Sequence, residues 1–314
     1  MSETRHPEVS VVLPTYDRPE FVRRAAESVL DQTFTDAELI VVDDCSPTPA
    51  EGVLDTLSSS DIAVRYIRHE ENRGAPAARN TGIEAATGRF VAFIDDDDQW
   101  VPTKLERQYD RFQRGGPAVG VVYTGQRFTE EGSVVHTLRP TVRGDVTEDL
   151  LSGASLGTFS TLMVRASVIE QAGLTDERFP CWQDREWPIR LSQYTEFDVI
   201  EDPLVVRESS GHSQISDDIT AKRDVAYPLM LETFGPLAEE YGCRDALVAA
   251  TAREVALSAL QRGQYADARR FALRTIRADP TRWDAYAFFV LSLGRTPTVR
   301  LAQRAKRMVA ARLD

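Results

Sequence analysis

Four consecutive aspartates, Asp95 to Asp98, directly follow the apolar run FVAFI at residues 90–94. Neighbouring carboxylates raise each other's pKa unless a positive charge lies between them. The run is therefore either a solvated acidic loop or a site for a divalent cation. Mg²⁺ and Mn²⁺ prefer oxygen ligands and usually bind through one or two carboxylates together with substrate phosphates. The acidic run alone leaves both interpretations open.

Two other apolar runs also end in residues that could bind a ligand. The run VSVVLPTYDR contains Pro14 and Tyr16, and the run AELIVVDDCS contains Asp43 and Asp44. Ligands of open α/β sheets bind beyond the carboxyl ends of the strands. A single solvated loop explains three polar strand ends poorly, so the pattern favours a ligand site.

The elements that would position these residues alternate between strand and helix. Apolar runs of strand length occur near residues 9–15, 37–43, 62–68 and 89–94, and segments with helical apolar spacing lie between them. Continuous apolar strands that alternate with helices are typical of a parallel sheet covered on both faces. The first hundred residues therefore predict an α/β sheet with the polar residues at one edge.

The pattern changes after Trp100. From about Asp218 onward the sequence is almost wholly helical, which places a domain boundary near residue 220. Between these points the sequence predicts a helix, two strands, a loop with a strand and a short helix, a helix interrupted near Pro188, and a further strand. In chain order these segments are 103–114, 119–128, 134–140, 151–173, 181–195 and 197–210.

Five motifs in this order resemble the inverting family 2 glycosyltransferases, which have the GT-A fold. The resemblance covers about residues 8–216 and implies a mixed, mainly parallel sheet with helices on both faces. It divides residues 1–220 into a nucleotide-binding half, about 8–100, and an acceptor half, about 101–220, followed by a C-terminal all-α appendage, 221–314. The motifs are VSVVLPTYDRPEFVRRAAESVLDQTF, ELIVVDDCS, ENRGAPAARNTGIEAATGRFVAFIDDDDQW, GLTDERF and WQDREWPIRL.

The resemblance also implies an activity. Members of the family transfer a sugar from a nucleotide diphosphate sugar to an acceptor hydroxyl with the help of a divalent metal. For this chain we expect Mn²⁺ or Mg²⁺ as cofactor, a UDP-sugar as the favoured donor, and a glycan, glycolipid or lipid-phosphate acceptor. A metal is needed because the diphosphate leaving group gains negative charge as the glycosidic bond breaks.

Matching the family's motifs assigns donor-binding roles to individual residues. By similarity, Pro14 and Tyr16 line the pocket for the base, Asp44 contacts the base, and Arg79 lies near the nucleotide. These four residues stand at the ends of the first two strands and on the third predicted helix, where the resemblance requires them.

The acidic run matches the DxD motif of the family. We align Asp95, Asp96 and Asp97 with that motif, so that Asp96 points towards the ribose and Asp97 is the metal ligand. Asp98 is then a supporting residue. Because the run contains one aspartate more than the motif needs, the alignment leaves its register open by one position.

Two further assignments come from the acceptor half. The family places an acidic pair before a helix, but Gln183 occupies the first position here, so Asp184 is the match for the catalytic base and Glu186 is the alternative. The segment RESSGHSQIS resembles one that contacts the diphosphate or metal, which makes His212 a second candidate metal ligand. An ordinary surface histidine is the alternative for His212.

Composition excludes several other classes of protein. A net charge of −12 argues against general nucleic-acid binding. The three cysteines are widely spaced and predict neither a disulfide framework nor a zinc site. No apolar run approaches the ~18 residues of a membrane span, and no signal-peptide core is present, so we expect a cytoplasmic protein. Only three of the 37 basic residues are lysine, which together with the acidity suggests a salt-loving, haloarchaeal source.

The predicted appendage contains two notable segments. Residues 256–280 resemble a tetratricopeptide-type helical hairpin. Residues 295–314 carry six basic residues and one acidic residue, with apolar residues at helical spacing. This basic last helix could make peripheral contact with a membrane, or it could be an ordinary exposed helix.

Two rival functions remain at this point. The chain could be a non-catalytic protein that binds a sugar or partner on a retained glycosyltransferase fold, although the acidic run and Asp184 argue against it. It could also be a nucleotidyltransferase on a related sheet. Those enzymes usually have a glycine-rich N-terminal loop ending in basic residues, which the segment PTYDRPE does not resemble.

Overall fold

The computed structural model of the protein describes residues 6–57, 60–208 and 218–293. By their internal contacts, these residues fall into two compact units. One unit contains most of the chain up to residue 208. The other contains residues 218–293 together with Glu148–Ala154 and Phe179–Trp182. The domain boundary near residue 220 stays a prediction.

One mixed sheet of nine strands forms the centre of the first unit. The strands are β1 (Val9–Thr15), β2 (Ala37–Asp43), β3 (Ala63–Arg68), β4 (Phe90–Phe93), β5 (Asp98–Trp100), β6 (Val119–Glu130), β7 (Ser133–Leu138), β8 (Met163–Arg165) and β9 (Glu196–Glu208). Their order is β3-β2-β1-β4-β8-β6-β9-β5, with β7 paired to β6. Strands β1 to β4 pair in parallel, as do β6 and β9, whereas β5, β7 and β8 pair antiparallel.

Helices alternate with these strands as the sequence predicts. They are α1 (Pro19–Leu30), α2 (Glu51–Leu54), α3 (Ala75–Ala85), α4 (Lys104–Gly115), α5 (Thr147–Leu151), α6 (Ala166–Ala172) and α7 (Gln183–Leu191). The predicted interruption near Pro188 is wrong, because α7 continues through it. A proline at this position removes only the amide that would bond to the Asp184 carbonyl, one turn from the helix start.

The core lies on both faces of the central strands. Every residue of β1, β2 and β4 is buried, whereas β3 at the sheet edge is largely exposed and is not covered on both faces. Helix α3 lies very close to β1, since a Cβ on Gly82 would be 2.3 Å from Cγ1 of Val12. The absence of a side chain at Gly82 therefore sets how closely α3 approaches the sheet.

The second unit is helical throughout its described residues from 218 to 293. It contains α8 (Ile219–Ala221), a π-helical turn at Lys222–Ala226, α9 (Tyr227–Glu240), α10 (Arg244–Gln261), α11 (Tyr265–Ala278) and α12 (Trp283–Leu293). Helix α10 packs against α11, and α11 packs against α12, which confirms the predicted helices on either side of their connections. No helix among the described residues is long and apolar enough to cross a bilayer.

Helix α12 presents one strongly exposed apolar face. Trp283, Tyr286, Val290 and Leu293 are all exposed, Trp283 to 77%. Their spacing of three, four and three residues places them on one side of the helix. Ala285 and Ser292, by contrast, are buried. One side of α12 therefore presents apolar and aromatic side chains to solvent.

Candidate active site

The acidic run forms the connection between β4 and β5. Strand β4 ends at Phe93, the amide of Asp98 donates to the carbonyl of Asp95 in a tight turn (3.1 Å), and β5 begins at Asp98. Asp96, Asp97 and Asp98 are buried, while Asp95 is partly exposed. The run therefore does not lie in solvent, and the interpretation as a solvated loop is wrong.

Three of the four carboxylates converge on one point. Oxygen atoms of Asp95, Asp97 and Asp98 all lie within 4.8 Å of one another. This all-oxygen donor set suits a hard divalent cation. Oδ1 of Asp98 is buried and has no hydrogen-bond partner among the described residues, so it has the free lone pairs that a metal ligand requires. The residues present therefore fit Mn²⁺ or Mg²⁺.

The remaining carboxylate, Asp96, turns towards the end of β1. It accepts hydrogen bonds from Oγ1 of Thr15 (2.9 Å) and from Nη1 of Arg18 (3.1 Å). Burial raises the pKa of Asp96 to about 6, although Arg18 opposes the shift. Asp96 thus belongs to the side of the site where β1 ends, and its contact with the ribose stays a prediction.

Asp98 and Arg207 lie side by side in the sheet. They are directly opposed in the antiparallel pairing of β5 with β9, and Nη2 of Arg207 lies 3.6 Å from Oδ2 of Asp97. Burial raises the pKa of Asp98 to about 8 even though Arg207 lowers it. Burial lowers the pKa of Arg207, but the carboxylates of Asp98, Asp97 and Asp95 outweigh that effect and raise it. Arg207 is therefore a buried counter-charge of the cluster.

Arg79 reaches the same cluster from α3. Its Nη2 donates to Oδ1 of Asp95 (3.0 Å), and its guanidinium lies 3.8 Å from the ring centroid of Phe159. The residue is buried, yet its Nε and Nη1 have no hydrogen-bond partner among the described residues. Buried guanidinium donors are costly to leave unpaired, so these two groups are available to an anionic ligand.

Pro14 and Tyr16 lie at the carboxyl end of β1. Pro14 is buried within the strand, opposite Val42 of β2, while Tyr16 just beyond the strand is about half exposed. The neighbouring Thr15 contacts Asp96, so these residues adjoin the acidic run. The structure therefore brings the predicted base-pocket residues to the same sheet edge as the carboxylates.

Asp44 is placed at the end of β2, where it organises the loop before α3. Its Oδ1 accepts from Nδ1 of His69 (2.7 Å) and from the amide of Arg73 (2.9 Å), and its Oδ2 accepts from the amide of Gly74 (2.7 Å). The amide of Asp44 donates to the carbonyl of Thr15 (2.9 Å). Strand β1 lies between β2, which Asp44 follows, and β4, which the acidic run follows, and Asp44 does not join the three-carboxylate cluster.

Asp184 lies in the first turn of α7 and belongs electrostatically to the cluster. Burial raises its pKa, the guanidinium of Arg185 lowers it, and the charge of Asp95 raises it. Arg207 and Arg79 are also among the charges that act on Asp184. A raised pKa makes a carboxylate a stronger proton acceptor, which is the property that a general base needs.

Trp100 packs beneath the acidic run. Its Nε1 donates to the carbonyl of Ser160 (3.0 Å), and the Nζ of Lys104 lies 3.8 Å from its ring centroid. The hydroxyl of Ser160 accepts from the amide of Asp95 (2.9 Å). Trp100 and the acidic run therefore share Ser160 as a common neighbour. Trp187, by contrast, is a core residue that packs against Phe93 and is fully buried.

His212 falls outside the described residues, so its role as a metal ligand stays a prediction. The motifs did not reveal four residues that the structure brings to the site: Thr15, Arg18, His69 and Arg207. Thr15 and Arg18 lie close to Tyr16 in the first motif, and their polar side chains just beyond an apolar strand could have indicated a role in the site. Arg207 stands at the end of a predicted strand, where a cation would meet the acidic residues of the other strand ends.

Known proteins resemble this chain both in sequence and in structure. A family model described as glycosyl transferase family 2 matches residues 10–170. The UDP-Glc:alpha-D-GlcNAc-diphosphoundecaprenol beta-1,3-glucosyltransferase WfgD of Escherichia coli is 33% identical over 127 residues, covering 40% of this chain and 49% of that protein. Matches to two further bacterial relatives cover 41% and 35% of their lengths, so the chain spans about half or less of these three proteins.

Two solved structures share the fold over most of their length. S. aureus TarS 1-349 in complex with UDP-GlcNAc has a TM-score of 0.65 at 17% identity and covers 95% of this chain and 92% of that chain. The mannosyltransferase PcManGT from Pyrobaculum calidifontis, in complex with GDP-Man and Mn²⁺, has a TM-score of 0.58 at 18% identity, with 92% and 87% covered. At these identities the likeness concerns the fold alone.

Proposed function

The chain belongs to glycosyl transferase family 2 and has the predicted GT-A fold, and from this premise we propose that it is a metal-dependent, inverting enzyme. It moves a sugar from a nucleotide diphosphate sugar to an acceptor hydroxyl. The observation that carries the proposal is the convergence of Asp95, Asp97 and Asp98 beside Arg79, with Asp184 in their electrostatic field.

Residues at the ends of β1, β2 and β4 would hold the donor. We propose that Pro14 and Tyr16 line the base pocket, that Asp44 contacts the base and that Asp96 faces the ribose. The unpaired Nε and Nη1 donors of Arg79 support a role in binding the diphosphate, because hydrogen bonds from a charged guanidinium to phosphate oxygens are strong.

A divalent metal would be held by Asp97 with Asp95 and Asp98. When bound, Mn²⁺ or Mg²⁺ supplies positive charge that stabilises the diphosphate leaving group. Arg207 and Arg18 already contribute positive charge to this cluster, at 3.6 Å and 4.0 Å from Oδ2 of Asp97. These guanidinium groups therefore offset part of the negative charge of the carboxylates before the donor binds.

Asp184 is the proposed general base. It would accept the proton of the acceptor hydroxyl as that oxygen attacks the anomeric carbon from the side opposite the leaving group, which inverts the configuration. Burial and the charge of Asp95 raise the pKa of Asp184, which strengthens it as a base. Glu186 is a poorer candidate because it is fully buried and paired with Arg190.

The rival functions are less well supported. Family membership argues against a nucleotidyltransferase. A non-catalytic binding protein would not need the carboxylate cluster or a part-exposed aspartate with a raised pKa beside it.

We further propose a lipid-linked acceptor and peripheral contact with a membrane from the cytoplasmic side. The name of WfgD describes a diphosphoundecaprenol acceptor for that protein. In this chain, the exposed face of α12 carries Trp283 and Tyr286 and directly precedes the basic segment 295–314, which lies outside the described residues. Aromatic and basic residues together favour the interface of an anionic leaflet.

A donor screen tests the proposed function. Purified protein is incubated with UDP-, dTDP- and GDP-sugars and with candidate glycan or lipid-linked acceptors, in Mn²⁺, in Mg²⁺ or in EDTA, and release of the nucleoside diphosphate is followed. A parallel incubation contains a nucleoside triphosphate and a sugar 1-phosphate, and release of pyrophosphate is followed. We expect turnover of at least one donor that depends on the metal. Binding of a sugar nucleotide without turnover by any acceptor would favour the non-catalytic protein, and release of pyrophosphate from a nucleoside triphosphate would favour the nucleotidyltransferase.

A further inference from the structure

His69 and Thr81 form a hydrogen-bonded chain with Asp44 that no catalytic step uses. Nδ1 of His69 lies 2.7 Å from Oδ1 of Asp44, and Nε2 of His69 lies 2.9 Å from Oγ1 of Thr81 on α3. Because a carboxylate can only accept, Nδ1 carries a proton that it donates to Asp44. In the neutral ring with this proton on Nδ1, Nε2 accepts the hydroxyl proton of Thr81. His69 is 9% exposed, so this chain is buried in the protein.

The hydrogen bonds to Asp44 limit how many further donors its carboxylate can accept from. A carboxylate has about four acceptor positions, two on each oxygen. His69 and the amide of Arg73 occupy both positions of Oδ1, at 2.7 Å and 2.9 Å, and the amide of Gly74 occupies one position of Oδ2, at 2.7 Å. Among the contacts of the described residues, one position on Oδ2 is left over.

Asp44 lies at the same sheet edge as the acidic run, where the donor site is proposed. Asp44 follows β2, and its amide donates to Thr15 of β1, whose hydroxyl in turn donates to Asp96. Gly74 has φ of 89°, which an L-residue rarely adopts, and this turn aims its amide at Oδ2. The backbone and His69 together hold the carboxylate rigidly with one acceptor position for a ligand.

We infer that His69 is a positioning residue which, by saturating Oδ1 of Asp44, selects a nucleobase with a single N–H on its recognition edge, uracil or thymine, over guanine. This inference rests on the proposed function, since it concerns the same donor site. Uracil and thymine offer one imide N–H between two carbonyl oxygens. Guanine offers two adjacent N–H donors, and an aspartate with only one free position leaves the second donor unpaired, which is unfavourable in a buried site.

Binding of nucleoside diphosphates tests the inference. UDP, dTDP, GDP and ADP are titrated in the presence of Mn²⁺ into the wild-type protein and into variants, and Kd is measured by calorimetry. We expect wild-type protein to bind UDP and dTDP about tenfold or more tighter than GDP, the size of effect expected for one unpaired buried donor. Equal or tighter binding of GDP would overturn the inference.

The variants separate positioning from mere folding. His69→Phe frees Oδ1, so the preference for UDP over GDP should narrow to about threefold or less. His69→Asn can still place an N–H donor near Oδ1 and should restore most of the preference. Thr81→Val keeps the imidazole of His69 but removes the hydrogen-bond partner of its Nε2. Its preference for UDP over GDP should lie between those of wild type and His69→Phe. His136→Asn, at an exposed histidine on β7, serves as the control and should leave the ratio unchanged.

The ratio of the Kd values for GDP and UDP shows whether a failure concerns the role of His69 or the proposed function on which it rests. Should the wild-type protein bind none of the four nucleotides, the proposed function fails, and the inference with it. Should it bind them with a UDP/GDP ratio that is the same in wild type and in folded His69→Phe, only the role of His69 is wrong. If His69→Phe does not fold, as judged by its thermal unfolding, the comparison of His69→Asn with Thr81→Val decides in the same way.

Discussion

Glu186, which is buried, is paired with the partly buried Arg190 one helical turn further along α7. The other nitrogens of Arg190 donate to the carbonyls of Ala172 (2.7 Å) and Leu174 (2.5 Å), so the pair connects α7 to the end of α6. Glu186 therefore has a structural partner, whereas Asp184, two residues earlier, faces the charges of the carboxylate cluster.

Asp184→Asn should abolish most turnover while donor binding is retained. The amide keeps the size of the side chain but cannot take a proton, and general-base catalysis contributes about 10²–10⁴-fold. We expect kcat to fall by that order, with Kd for the nucleoside diphosphate changed less than about twofold. The measurement is steady-state turnover beside calorimetric binding.

Glu186→Gln is the matched comparison on the same helix. It should retain turnover in the folded protein but lower the free energy of unfolding, because Arg190 loses its charged partner while remaining partly buried. An active Asp184→Asn together with an inactive but folded Glu186→Gln would show that the base has been assigned to the wrong carboxylate.

Asp97→Ala should remove metal-dependent binding of nucleotide without unfolding the protein. The substitution deletes one of three converging carboxylates and reduces their mutual repulsion. We expect Mn²⁺ to strengthen the binding of UDP in wild type but not in the variant. Asp110→Ala, at an exposed aspartate on α4, is the control. Normal metal-dependent binding by Asp97→Ala would contradict the ligand assignment.

The stability of the metal-free protein should fall as pH rises from about 4 to 8. Burial raises the pKa of Asp98 from 3.8 to about 8 and that of Asp96 from 3.8 to about 6. A folded-state pKa above the unfolded value favours folding at low pH, and this contribution is lost as pH rises through the folded value. Urea unfolding in EDTA at several pH values measures the slope, and saturating Mn²⁺ should reduce it.

Asp98→Asn supplies the control for that slope. The amide does not ionise, so the variant should be more stable than wild type at pH 8 in EDTA and should show a flatter dependence on pH. If the variant and the wild-type protein lose stability in parallel between pH 6 and pH 8, the buried charge of Asp98 is not the cause.

Gly82→Ala should destabilise the first unit by about 1–3 kcal/mol, the usual cost of overpacking. The added Cβ would lie 2.3 Å from Cγ1 of Val12, so α3 would have to move away from β1. Gly52→Ala is the control because no atom lies within 4 Å of the added group. Urea unfolding measures both variants, and the double variant Gly82→Ala with Val12→Ala should recover part of the loss in Gly82→Ala relative to Val12→Ala alone.

Removing the exposed aromatic residues of α12 should weaken attachment to anionic vesicles. We expect Trp283→Ser with Tyr286→Ser, and separately a truncation after Leu293, to reduce sedimentation with phosphatidylglycerol vesicles at low salt while activity on a soluble acceptor analogue is kept. Each basic residue near an anionic leaflet contributes about 1 kcal/mol, and salt screens it. Tyr241→Ser, at an exposed tyrosine at the end of α9, is the control. A full-length protein that ignores vesicles at low salt would remove the membrane from the proposal.

The order of strands and helices could be predicted from the sequence because each carries its own periodic signal. Strands β1, β2 and β4 are continuous apolar runs, and α1, α4 and α11 have clear apolar faces. The uninterrupted helix α7 could not be predicted, because a proline near a helix start looks the same in sequence as a proline that ends a helix. The exposure of β3 depends on its position at the sheet edge, which periodicity does not encode.

The candidate site was predictable where one segment supplies several groups, as in the acidic run. It was not predictable where the partner comes from a distant segment. Arg207 lies more than a hundred residues from Asp98 in the chain, and only the pairing of β5 with β9 brings them together. His69, which follows β3, reaches Asp44, which follows β2, in the same way, because β2 and β3 pair in the sheet. Pairing across the sheet is a tertiary property, so no motif in the sequence contains it.

The fluorescence of Trp100 can report on metal binding at the acidic run. Of the four tryptophans in the chain, Trp283 is largely exposed, whereas Trp100 is buried with Lys104 above its ring and Ser160 shared with the run. The emission of an indole depends on the charge and polarity around it, and Mn²⁺ is paramagnetic and quenches nearby fluorophores. In a variant where the other three tryptophans are replaced by phenylalanine, the emission of Trp100 would follow occupancy of the carboxylates in real time, without any label.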